Sequence, residues 1–207
     1  AAIDPPMAAS RPTSPPTSAT TKASSSGNGS KNSAADFVTG IPVDELCAEL
    51  TAFVPGRRLD DNVQILMRFA GGARGMLWAS QVAPGNENGL QLRVYGDKAG
   101  ISWRQDNPNY MWFTEFGKPK QLLTRGGSIS GDVSPTMQVR IPGGHPEGYL
   151  EAFATLYHQF AEVIRGNGKA YKDVLPTLDD GVEGMQFITA SVQSSKSNGE
   201  WVKLSDV

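Results

Sequence analysis

The period of the hydrophobic positions changes partway along the chain, and the change divides it in two. Between residues 43 and 124 apolar side chains recur at every second position, in short runs parted by turns rich in glycine and proline. That is the spacing of half-buried strands. Residues 43–54 (VDELCAELTAFV) make the first run, which stops at Pro55-Gly56. Residues 61–69 put Val63, Ile65, Met67 and Phe69 on one face and Gln64 and Arg68 on the other. Gly71-Gly72 then turns the chain into 74–82, so these two runs predict a hairpin. Further strands are expected at 90–95, with Leu90, Leu92 and Val94 inward, and at 101–104, 110–116, 121–124 and 137–141.

From residue 147 the period becomes that of a helix. In GGHPEGYLEAFATLYHQFAEVIRG (143–166) the apolar residues fall at Tyr149/Leu150, Phe153, Leu156/Tyr157, Phe160 and Val163/Ile164. Those steps of three and four predict one apolar face over 147–165. Pro146 suits a first turn, whose amides have no intrahelical partner. Glu147 and Glu151 suit the positive end of the dipole and Arg165 the negative end, while Gly166 supplies the stop. We expect this helix to be the central stave of the core, with Phe153→Ala costing about 3–5 kcal/mol. A second helix begins at Thr177, a capping hydroxyl, and runs through Leu178, Val182, Met185, Ile188 and Val192 to end before Gly199. Residues 201–204 read as a last strand. Strands in series followed by helices predict an α+β fold, an open, mostly antiparallel sheet with helices on one face.

Composition changes that picture at the N-terminus. Of the first 35 residues 27 are Ala, Ser, Thr, Pro or Gly, with no aromatic. Such a segment cannot offset the roughly 1–2 kcal/mol that ordering each backbone residue costs, so residues 1–35 are expected to be disordered and residues 36–207 to form one domain. That domain, at roughly 70% burial of its unfolded surface, has room for a single core. A net charge of −2 gives no electrostatic case for nucleic acid or anionic lipid. No apolar run is long enough to cross a membrane. The single cysteine, Cys47, alternates within a strand and is expected in the core; a reducing, cytoplasmic compartment fits it.

Few constellations carry chemistry. There is no G-x-G-x-x-G between a strand and a helix, and no P-loop. GGSISG at 126–131 lacks the spacing of a nucleophile elbow and reads as a loop. His145, His158 and Cys47 do not have zinc-ligand spacing, and His158, mid-helix, reads as a packing or surface residue. Asp179, Asp180 and Glu183 sit where they complement a helix dipole. Lys118, Lys120 and Arg125 read as a solvated hairpin. Three features remain. His145, in a Gly-Gly turn at the mouth of the first helix, could hydrogen-bond a substrate hydroxyl, or be a loop histidine without a role. Gln81, closing a strand, and Asn88, in the loop beyond it, could present amides to a polar ligand or simply anchor the loop. Trp78 could mark an exposed sheet face that serves as an interface, or a covered core position.

Three segments, SQVAPGNENGLQLRVYGDKAGISW, GGHPEGYLEAFATLYHQFAEVIRG and LPTLDDGVEGMQFITASVQSSKSNGEWVKL, cover nearly all of 37–204 with FVTG before them. In order and spacing they resemble the C-terminal domain of the glucose–fructose oxidoreductase / inositol dehydrogenase (Gfo/Idh/MocA) family. The resemblance implies a sheet whose free face makes subunit contacts and whose edge closes over the substrate. It further implies that His145, in the H-x-E-G turn, faces a sugar or polyol, and that the parent enzyme uses NAD or NADP. Family enzymes begin with a nucleotide-binding domain bearing a glycine-rich turn, a Glu-Lys-Pro motif with the catalytic lysine, and an Asp-x-Gly-x-x-x-His helix just before the position of FVTG. Here that place holds SSSGNGSKNSAAD, and Lys118-Pro119 lies in a strand turn of the other domain.

The chain is therefore expected to be the substrate-binding and oligomerisation half of such an enzyme. It should bind no nicotinamide alone, assign no catalytic residue, and associate with itself through the sheet face. The alternative is a stand-alone protein-association or carbohydrate-binding module. Deleting residues 1–35 should leave the unfolding free energy within about 0.5 kcal/mol. A larger drop in a urea melt would show that the segment packs on the body.

Overall fold

The computed structural model describes residues 39–125, 140–171 and 174–207. Among these residues eight strands and two α-helices follow in the order β1 Val43–Thr51, β2 Asn62–Phe69, β3 Arg74–Ser80, β4 Gln91–Tyr95, β5 Ala99–Arg104, β6 Tyr110–Glu115, β7 Gln121–Thr124, α1 Tyr149–Glu162, α2 Leu178–Lys196 and β8 Val202–Lys203. Every strand pairing is antiparallel. This is the α+β, open antiparallel architecture that the periodicity predicts. The strands hydrogen-bond in two groups of four, ordered β3-β2-β1-β8 and β4-β5-β6-β7. The expected disorder of residues 1–35, the GGSISG loop and most of the expected strand at 137–141 lie outside the described residues. Of that strand Arg140 and Ile141 are described, and neither is extended into a sheet.

The core lies on one face of the first sheet. Leu46, Ala48, Ile65, Met67 and Phe69 point to it from β1 and β2, and Ala190 of α2 with Val202 and Leu204 closes it. The alternation of 61–69 is thus realised, with Gln64 and Leu66 exposed on the far side. Gly71 and Gly72, at φ 77° and 95°, make the hairpin turn in a region that residues with a Cβ avoid. β1 ends at Thr51, three residues before the apolar run does. The Asp61 carboxylate accepts the Phe53 and Val54 amides at 2.9 and 3.0 Å, which takes them out of the ladder. Those bonds, the Phe53 amide foremost, hold the Asp61 carboxyl below its ordinary range despite its burial.

α2 sits against β1 by virtue of small residues. Its buried positions are Ala190, Ser191 and Ser194, with Phe187 packed on the core beside them. β8 pairs with β1 only at Glu45 and Leu46, so among the described residues the β1 edge beyond Leu46 has no strand to bond. Serines of α2 fill that place. The Ser194 hydroxyl accepts the Ala48 amide at 2.9 Å and donates to the Glu200 carbonyl at 2.6 Å, while Ser195 accepts the Leu50 amide at 3.1 Å. Buried amides left unpaired there would each cost about 1–3 kcal/mol. Thr177 caps the helix as expected: its hydroxyl accepts the Asp180 amide at 3.3 Å, and the Asp180 carboxylate accepts the Thr177 amide at 2.5 Å.

The placement of the two apolar stripes corrects the expectation that α1 is the central stave. On α2 the stripe Leu178, Val182, Met185 and Ile188 is 52–84% exposed and lies on the opposite side from Phe187, Ala190 and Ser194. On α1 Phe153 is 44% exposed, Leu156 48% and Phe160 59%, whereas the residues turned inward are Glu151, Thr155, Gln159, Ala161 and Glu162. Period fixes which residues share a face, not which element covers them. The helix also starts at Tyr149, later than expected, and bends through a wider turn at Val163–Asn167 around Gly166.

Leu46, fully buried, should cost about 2–5 kcal/mol when truncated to alanine. Phe153→Ala should cost about 1 kcal/mol or less, because the ring is half in solvent and meets the Tyr149 ring one turn away at 4.7 Å between centroids. Urea melts of the two variants check this order. A second expectation concerns acid. Because the folded Asp61 carboxyl titrates below its unfolded value near 3.9, its contribution is whole above that value and is lost as pH falls through the folded one. Stability followed from pH 6 downward should therefore fall less steeply at the acid end in Asp61→Asn than in the parent.

Candidate functional site

The turn that carries His145 is built by residues far from it in sequence. Arg125 immediately follows β7 and Asn109 immediately precedes β6, so the β6–β7 pairing brings them together; the Arg125 amide donates to the Asn109 carbonyl at 3.1 Å. The Arg125 guanidinium then donates from Nε to Asn109 Oδ1 at 3.0 Å, from Nη1 to the Ile141 carbonyl at 3.0 Å and from Nη2 to the His145 carbonyl at 2.7 Å. It also forms an ion pair with Glu147, whose side chain is 10% exposed against 18% for Arg125. Asn109 Oδ1 accepts the Glu147 amide at 3.0 Å, and the second Glu147 oxygen accepts the Arg140 amide at 2.9 Å. A planar fork of donors is suited to gripping several acceptors at once.

The sequence predicts Arg125 in a solvated hairpin and Glu147 in the first helical turn, and the structure corrects both. Arg125 is largely covered, and Glu147 precedes the helix and serves the turn. The side-chain partners of Arg125 lie 16–22 residues away, and no local pattern encodes such a contact. The dipole role belongs to Glu151, which accepts the Gly148 amide at 2.9 Å; that bond, more than any other influence, lowers its carboxyl below the ordinary value. Arg140 Nε donates to the Thr155 hydroxyl at 3.2 Å, tying the same segment to the inward, polar side of α1.

His145 itself is exposed. Its ring Nδ1 lies 3.3 Å from the Pro142 carbonyl, and its amide donates to the same oxygen at 3.3 Å. Gln81 follows β3 with its side chain exposed, and its amide donates to the Asp61 carbonyl at 2.8 Å. Asn88 takes a left-handed φ of 39° at an exposed loop position, its carbonyl accepting the Leu90 amide at 3.0 Å. Among the described residues, no hydrogen bond joins either amide side chain to the His145 turn. An open hollow of about 360 Å³ lies on the second sheet, lined by Tyr95, Trp112, Thr114, Phe116 and Lys120, and includes none of the three. Among the described residues no group of His, Cys, Asp and Glu could hold a metal ion, and no helix is long and apolar enough to cross a membrane.

Comparison with known proteins places these observations. The family model described as "Oxidoreductase family, C-terminal alpha/beta domain" (Gfo/Idh/MocA) matches residues 24–204. The uncharacterized oxidoreductase YfiI of Bacillus subtilis (strain 168) is 33% identical over 167 residues, which are 78% of this chain and 42% of that protein. An oxidoreductase from Sinorhizobium meliloti is 51% identical with a TM-score of 0.75, over 81% of this chain and 48% of its own. An inositol dehydrogenase homolog from Azotobacter vinelandii, solved in complex with NADH and myo-inositol, is 35% identical with a TM-score of 0.70, over 79% of this chain and 44% of its own. The chain thus spans about half the length of these relatives. With the family model covering nearly all of it and the antiparallel α+β fold in place, the chain belongs to the Gfo/Idh/MocA oxidoreductase family and carries that family's C-terminal alpha/beta domain.

Proposed function

We infer that this chain is the substrate-binding and oligomerisation half of an NAD(P)-dependent oxidoreductase acting on a sugar or polyol, inactive without a nucleotide-binding half. The observation that carries this reading is the orientation of the two helices. Both turn their apolar stripes, from Tyr149 to Ile164 and from Leu178 to Ile188, away from the sheet core. Each large side chain so exposed forgoes roughly 1.5–3 kcal/mol of burial. Relatives about twice as long supply a natural cover. The binding of NADH and myo-inositol by the Azotobacter vinelandii protein supports a nicotinamide cofactor and a polyol substrate. Oxidation of an alcohol needs a hydride acceptor, which the nicotinamide supplies when bound, and a base for the hydroxyl proton. His145 is the residue of this chain proposed to meet a substrate hydroxyl, with Gln81 and Asn88 proposed to contact other polar groups of the ligand.

The outer sheet faces favour a homo-oligomer. Leu66, Met76 and Trp78 are 52–74% exposed on the first sheet, and Tyr95, Trp112 and Leu122 are 40–75% exposed on the second. This surface is separate from the helix stripes, so pairing of two copies and docking of a nucleotide-binding half do not compete. The same faces would equally serve a stand-alone association module, which is the second reading.

The two readings part on mixing the full chain with the portion of the Sinorhizobium meliloti oxidoreductase that it does not cover. A stable complex is expected, with NADH binding in the mixture and none by this chain alone. Leu156→Asp together with Ile188→Asp should weaken the complex at least roughly tenfold, as burying two unpaired charges demands. Absence of a complex at tens of micromolar would overturn the half-enzyme reading. In light scattering the chain alone should run as a dimer that Trp78→Ser weakens; a monomer indifferent to that change would count against sheet pairing.

A further inference from the structure

We propose that Arg125 is a positioning residue for His145: by gripping the 141–147 turn on both sides of Pro142, it holds the His145 imidazole with its proton on Nδ1 and leaves Nε2 as a hydrogen-bond acceptor. The relevant contact is the 3.3 Å approach of Nδ1 to the Pro142 carbonyl. A carbonyl oxygen only accepts, so the approach is attractive when Nδ1 carries the proton and repulsive when it presents a lone pair. A neutral imidazole side chain in water favours the other tautomer, with the proton on Nε2. The turn therefore opposes the intrinsic preference, and it can do so only while the Pro142 carbonyl stays aimed at the ring.

Arg125 provides that constraint. It bonds the Ile141 carbonyl at 3.0 Å on one side of Pro142 and the His145 carbonyl at 2.7 Å on the other, and it pairs with Glu147 beyond. The His145 amide donates to the Pro142 carbonyl at 3.3 Å and closes the turn between those two grips. Asn109 Oδ1 fixes the guanidinium through Nε and the Glu147 amide at 3.0 Å each. A lysine in place of Arg125 could reach one of these acceptors, not all of them. The chemical consequence is a bare, exposed Nε2 lone pair at the helix mouth, which accepts from a hydroxyl and does not donate to a carbonyl. The site would then receive the alcohol form of a substrate. That assignment rests on the half-enzyme reading above, whereas the tautomer does not depend on it.

The test is nitrogen NMR of the ligand-free full chain with isotope-labelled histidine, at a pH well above the ordinary imidazole value of about 6.5. His158→Gln assigns the two rings, since the chain has two histidines. His145 should show a protonated Nδ1 and a bare Nε2. In both Arg125→Gln and Arg125→Lys the ratio of the two tautomers should shift toward Nε2–H by roughly five- to tenfold, the worth of one neutral hydrogen bond. A parent spectrum with the proton on Nε2 overturns the proposal. So does a ratio unchanged in Arg125→Lys, which retains the charge and guards against a glutamine variant that fails to fold. Failure here leaves the mixing experiment untouched, and failure of that experiment leaves the tautomer as measured.

Discussion

The unfinished edge of β1 sets the terms for the rest of the domain. β8 is two residues long and pairs with Glu45 and Leu46, so the amides of Ala48 and Leu50 point out past its end. They must be satisfied by something other than a strand. Two consecutive serines of α2, Ser194 and Ser195, meet them at 2.9 and 3.1 Å. A helix can bring hydroxyls that close only if its contact face is small, which is why Ala190, Ser191 and Ser194 lie there and not leucines. Ser194 is wholly buried, and among the described residues Leu46 is the largest side chain with no exposure. Once α2 is seated by these bonds, its stripe of larger residues necessarily faces outward.

That necessity explains what could and could not be read from the sequence. Strand alternation was legible because each run buries one side: Ile65, Met67 and Phe69 go inward as their spacing requires. The hairpin at Gly71-Gly72, the Thr177 cap and the Gly166 stop were legible because each has a local cause. The covering of the core was not. An apolar stripe announces a buried face, and the strongest stripe belongs to α1, but the cover over the first sheet is made by α2 through serine and alanine. Nothing in a 3.6-residue period distinguishes a face buried within the domain from one reserved for another.

The candidate site divides along the same line. His145 stood out in sequence because a histidine in a Gly-Gly turn before a helix is conspicuous, whereas Arg125 and Asn109 did not. Their importance comes from β6–β7 pairing, which places the two ends of that hairpin under the turn. The turn is consequently fixed to the second sheet, while Gln81 is fixed to the first through the Asp61 carbonyl. In the proposed function the substrate contacts of this chain therefore come from two different sheets.

Helix α1, despite its apolar residues, stands outside the cooperative core of this chain. Native-state hydrogen exchange resolves it amide by amide. The α1 amides between residues 153 and 160 should exchange through local opening, at least roughly a hundredfold faster than those of Leu46, Ile65 and Ala190, which should open only with global unfolding. Exchange of the α1 amides as slow as that of β1, β2 and α2 would contradict it.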